Sequence, residues 1–262
     1  MTYTKKALIA VLIVFMMLII PVLARQDSTA GEDQYKLKDE WKNRHMVVEQ
    51  HGELTQVVFM VTVVGDDDPQ AYELLGYKWP SSSIPVKYTI NPSTPVKKYK
   101  LSQSAIVDAV KNSFESWDNE VDTDLFSNTP TVSSGAKASI GRPDYKNVVT
   151  WGTLSDRNVI AMTNIWYYTS TKEIIDTDMV FNTYYKWGID KDGEGTVFGV
   201  PASTFDIQNI GTHEAGHVCG LGDIYLPEYS AMTMYGYGSF GEVGKISLET
   251  GDISGVRAIY QP

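Results

Sequence analysis

The run His213-Glu214-Ala215-Gly216-His217-Val218-Cys219-Gly220-Leu221-Gly222-Asp223 constrains this chain more than any other stretch of it. On a helix His213 and His217 stand four residues apart, so both imidazoles project from one face toward a single point. Glu214 lies one residue round from that face, where it can address a water without joining the ligands. Gly220 permits the left-handed or otherwise sharp turn that ends a helix. Past that turn Asp223 can swing back as a third ligand. A chance stacking of histidines on an ordinary amphipathic helix competes poorly, because the chain has only four histidines and two are here. The run reads as one zinc site of hydrolytic type, with His213, His217 and Asp223 as ligands and Glu214 as the base.

The 262 residues give ample chain for a sizeable core, and a hydrophobic content of 43% argues for a globular protein. The net charge of −10, without any basic stripe, speaks against nucleic-acid binding. Cys219 is the lone cysteine, so no intrachain disulfide can form. Inside the zinc run it reads as a small buried packing residue; as a fourth ligand it would close the position that catalysis needs open.

Lys5 and Lys6 precede an unbroken apolar stretch from Ala7 to Ile20, then Pro21 and Val22-Leu23-Ala24. Residues 1–24 thus fit a signal peptide cleaved after Ala24. They also fit an uncleaved signal anchor, since Ala7 to Ala24 spans 18 residues, barely a bilayer's width. Either way the remainder is expected outside the cytoplasm, secreted or anchored at the membrane by this segment alone. Residues 25–75 read as a propeptide or an N-terminal extension packed on the domain. They contain the β-branched run Val57 to Val64 and the turn-like Gly65-Asp66-Asp67-Asp68-Pro69. The three aspartates suit a solvated turn, a cap on the zinc or a calcium site. His45 and His51, with no partner cysteine, read as surface residues.

From residue 76 to 262 the pattern is mixed α/β. Val86 to Ile90, Asn147 to Trp151, Val159 to Trp166 and Ile174 to Asn182 carry strand signals. Val107, Val110, Phe114, Trp117 and Val121 mark a helical stripe after the possible caps Ser102 and Ser104. The zinc helix is expected to begin near Phe205, and a last helix at Ser247. Asp190-Lys191-Asp192-Gly193-Glu194-Gly195 resembles part of a calcium loop. It is not an EF-hand, because the twelfth position is Pro201 rather than a carboxylate. Ca2+ there competes with a plain turn.

Over roughly residues 76 to 261 the chain resembles the metzincin metallopeptidases, closest to their matrixin-like branch. The resemblance rests on His213 to Asp223, on Ala231-Met232-Thr233-Met234-Tyr235-Gly236-Tyr237, and on the closing Gly251 to Tyr260. It implies an α+β catalytic domain with a twisted mixed sheet, an active-site helix beneath it and a small C-terminal subdomain. It also implies a methionine turn under the zinc, for which Met234 fits best and Met232 is the alternative. Strand Ile174 to Asn182 would be the edge strand along which an extended peptide docks, a free edge offering main-chain hydrogen bonds. Asp178 and Asn182 fit the pattern of that strand.

Three departures qualify the likeness. Asp223 stands where most metzincins have histidine, although some branches, snapalysin-like enzymes among them, use aspartate. Too few histidines remain for the second, structural zinc of many matrixins. No cysteine lies upstream, so a thiol latch is excluded. The expected activity is that of an exported zinc endopeptidase, monomeric, acting on peptides or proteins. A non-catalytic, exported or membrane-anchored zinc module that captures peptides is the competing expectation, and intact Glu214 argues against it.

Overall fold

The computed structural model describes residues 34–35, 46–62, 71–191 and 200–261. The segment 1–24, His45, the Asp66–Asp68 turn and the acidic loop beyond Lys191 fall outside the described residues. In chain order the strands begin with β1 (Gln34–Tyr35), β2 (Met46–His51), β3 (Leu54–Thr62), β4 (Glu73–Leu74) and β5 (Tyr88–Ile90). Helices α1 (Ser93–Tyr99) and α2 (Gln103–Asp118) follow, then β6 (Thr131–Val132), β7 (Asn147–Leu154), β8 (Val159–Tyr168) and β9 (Ile174–Asn182). The short β10 (Trp187–Gly188) and β11 (Phe205–Asp206) lead into α3 (Ile207–Cys219), β12 (Leu221–Gly222) and α4 (Thr250–Tyr260).

The main sheet runs β2-β3-β8-β9-β7-β5-β6, with β1 beside the end of β7. Its first four strands are antiparallel and its remaining pairings parallel. β8 and β9 are buried almost throughout because both of their faces are covered. On one face Phe59, Trp151, Ile165 and Phe181 meet α2 and α3; on the other Val58, Met60, Met162 and Val180 meet Ile140 and Tyr35.

α2 starts where Ser102 accepts the Ala105 N–H, as a Ser cap should. Its buried stripe is Ile106, Ala109, Val110, Ser113, Phe114 and Trp117, while the expected Val107 and Val121 sit at its partly buried margin. α2 lies close along α3, near enough that a Cβ on Gly211 would press on Ser113, and the Trp117 indole donates to the Thr212 carbonyl at 2.8 Å. α4 begins at Thr250 rather than Ser247, because Glu249 and Asp252 form a reciprocal capping box there. β12 pairs antiparallel with β4 and completes the small C-terminal part with α4.

Strand order corrects one expectation. β9 is no edge: it pairs with β8 on one side and β7 on the other. A strand signal reports that a segment is extended but is silent about its neighbours. Residues 46–62 form a hairpin whose second strand, β3, continues the sheet beyond β8 over the whole of its length. His51 is exposed at the end of β2, beside the hairpin turn.

Candidate metal centre

α3 owes its start to Asp206, whose carboxylate accepts the Asn209 N–H at 2.7 Å, and its end to Gly220. Gly220 has φ 107°, the left-handed conformation, and a Cβ there would also press on the Tyr77 carbonyl oxygen at 2.5 Å. That reversal returns the chain so that His213, His217 and Asp223 come together, one ligand atom from each lying within 4.8 Å of the others. Asp223 Oδ1 is 3.1 Å from His213 Nε2 and 3.5 Å from His217 Nε2. Tetrahedral zinc with ligands at about 2.0–2.1 Å requires ligand atoms roughly 3.3 Å apart, so the trio fits such an ion. None of these three atoms has a hydrogen-bond partner, although all are buried, which is the signature of a ligand set.

The opposite ring nitrogens are engaged. His213 Nδ1 donates to the Thr233 carbonyl at 2.8 Å and His217 Nδ1 to the Leu221 carbonyl at 2.9 Å. This fixes both rings in the tautomer that presents Nε2 to a metal. The other carboxylate oxygen of Asp223 accepts the Tyr225 hydroxyl at 2.9 Å. Burial opposes ionisation of Asp223, yet the imidazoles of His217 and His213 together hold its carboxyl below the usual range. Burial drives His217 down to about 4 and leaves it neutral, as a ligand must be.

Glu214 is fully buried next to this cluster. One of its oxygens accepts the Thr163 hydroxyl from β8; the other has no partner. Burial pushes its carboxyl up to about 7, partly offset by His213 and by the Thr163 hydrogen bond. A cation at the ligand atoms would draw it back down.

Met234 is buried under α3, and a Cβ on Gly216 would collide with its sulfur and come within 2.6 Å of Trp117. Gly216 is what lets the methionine approach so closely. The turn around Met234 is held from two sides. The Asp252 carboxylate accepts the Thr233 and Met234 N–H groups at 2.8 and 3.0 Å. The buried Lys245 ammonium donates to the Met232, Thr233 and Tyr235 carbonyls. Met232, the alternative, is only partly buried.

The sequence reading missed Thr163, Tyr225, Lys245 and Asp252, and it missed Phe59, whose ring stacks on His217 at 4.0 Å and 9°. Asp252 could have been found, because Glu249 three residues before it spells a capping box; the others are reached only across the fold.

The family model of the matrixins, peptidase family M10, matches residues 78–261. The chain therefore belongs to the matrixins, a family of zinc metallopeptidases. Comparison with curated proteins gives no match.

Proposed function

We propose that this matrixin is an exported zinc endopeptidase in which His213, His217 and Asp223 hold the metal and Glu214 is the general base. The observation that carries the reading is the free Glu214 oxygen, buried beside three unpartnered ligand atoms. Zinc bound there supplies a Lewis acid that acidifies water and stabilises developing oxyanion charge. Glu214 accepts the proton of the attacking water at its unpaired oxygen and returns it to the leaving amine. Thr163 orients the carboxylate by holding the other oxygen. The Leu221 and Thr233 carbonyls keep both imidazoles turned toward the metal.

The export part of the proposal rests on Lys5 to Ala24, and N-terminal sequencing of the mature protein distinguishes cleavage from anchoring. For the chemistry, Glu214→Ala should lower peptide hydrolysis by about two to four orders of magnitude, while zinc content stays at one per chain. Undiminished turnover in that variant would sink the assignment. Peptide binding without hydrolysis in the zinc-loaded parent would favour the capture module instead.

A further inference from the structure

β8 is the strand that touches the base, through Thr163 and Glu214. Its side toward β9 is taken up within the sheet, so its other side is the edge on which an extended peptide would reach the metal ligands. In this structure that edge is filled by β3, antiparallel, with Phe59 directly opposite Thr163 in the register. The Phe59 ring lies flat on His217, and His213, Glu214 and His217 are all wholly shielded from solvent. Val57 and Phe59 face the metal side while Val58 and Met60 are buried on the other, so β3 is seated on both faces.

We propose that β3 is an internal occupant of the substrate edge, a pseudo-substrate strand whose Phe59 plugs the space over His217, and that peptides reach the site only when the hairpin 46–62 leaves. The inference rests on the zinc peptidase reading above and adds a substrate preference: the cleft accepts an extended segment with a bulky aromatic side chain opposite Thr163. The device needs no cysteine, and the chain has none upstream of Cys219. The domain does not depend on the hairpin for its own N-terminal attachment. β4 is tied independently to β12, and the Leu75 N–H donates to the Gly220 carbonyl at 3.1 Å. Covalent tethering keeps β3 at high effective concentration, and a cut between β3 and β4 turns it into a dissociable competitor.

The test uses the zinc-loaded full chain with a site-specific protease sequence inserted within residues 63–70. Two readouts are followed: binding of a peptidyl hydroxamate, and hydrolysis of a quenched fluorescent peptide library. Cutting should strengthen hydroxamate binding at least tenfold, and a synthetic peptide of residues 46–62 should reverse the gain. Should the cut hairpin remain seated, Phe59→Ala in the uncut chain should give a gain in the same direction. Equal hydroxamate binding before and after release, or no gain from either route, overturns the inference. A released chain that binds hydroxamate tightly yet hydrolyses nothing upholds the occlusion of the site by β3 and removes the peptidase reading with its substrate preference.

Discussion

Gly216 is where two opposing effects at one residue can be weighed. Alanine there would favour the helix by about 0.8–1.0 kcal/mol. It would also drive a methyl group into Met234 and Trp117, and overpacking of a tight core costs roughly 1–3 kcal/mol. Gly216→Ala should therefore lower stability, and a thermal melt should fall by several degrees; a melt at or above the parent value would show that Met234 yields freely. Tyr225 offers a test of metal affinity, because its hydroxyl donates to the Asp223 carboxylate while Tyr225 itself is not one of the clustered residues. Tyr225→Phe should weaken zinc binding on the order of 10- to 100-fold, as loss of such supporting hydrogen bonds usually does, read by competition with a chelator. The cluster of His213, His217 and Asp223 was legible because these residues and Gly220 lie within one helix and its turn. Thr163 and Phe59 were not, since nothing local in β8 or β3 says which strand will pass the metal.

At the scale of elements, β9 carries Asp178, a carboxylate buried inside the sheet. Burial raises its carboxyl to about 8 despite a hydrogen bond from the Ser139 N–H, and Asp176 two residues away adds to the rise. The folded group thus holds its proton where the unfolded one, near 4, has lost it. Between about pH 4 and pH 8 the native state binds more protons, so this residue makes stability fall as pH rises, by at most about 1.4 kcal/mol per pH unit. Asp178→Asn should flatten that slope, measured as denaturation midpoints across the range, and an unchanged slope would show that Asp178 ionises freely. The sequence marked β9 correctly as a strand, and the helices α2 and α3 by their caps and stripes. It misplaced β9 at an edge because pairing order depends on contacts far apart along the chain, such as the parallel match of Val148 with Asp178.

Across the whole molecule, the zinc helix is closed by side chains from opposite ends of the matched domain. The Trp79 indole donates to the Val218 carbonyl at 3.1 Å, and the Tyr260 hydroxyl donates to the Cys219 carbonyl at 3.0 Å. Tyr260 Oη also accepts the Trp79 N–H at 3.3 Å, so the two ends are knotted together over the final turn of α3. The last carbonyls of any helix need partners from outside it, and here they are found in residues 139 and 41 positions away. Trimming the protein just ahead of Tyr260 should consequently loosen the Gly220 reversal and release metal, although Tyr260 is not one of the clustered residues. Metal retention can thus serve as an assay of whether the chain has closed from end to end.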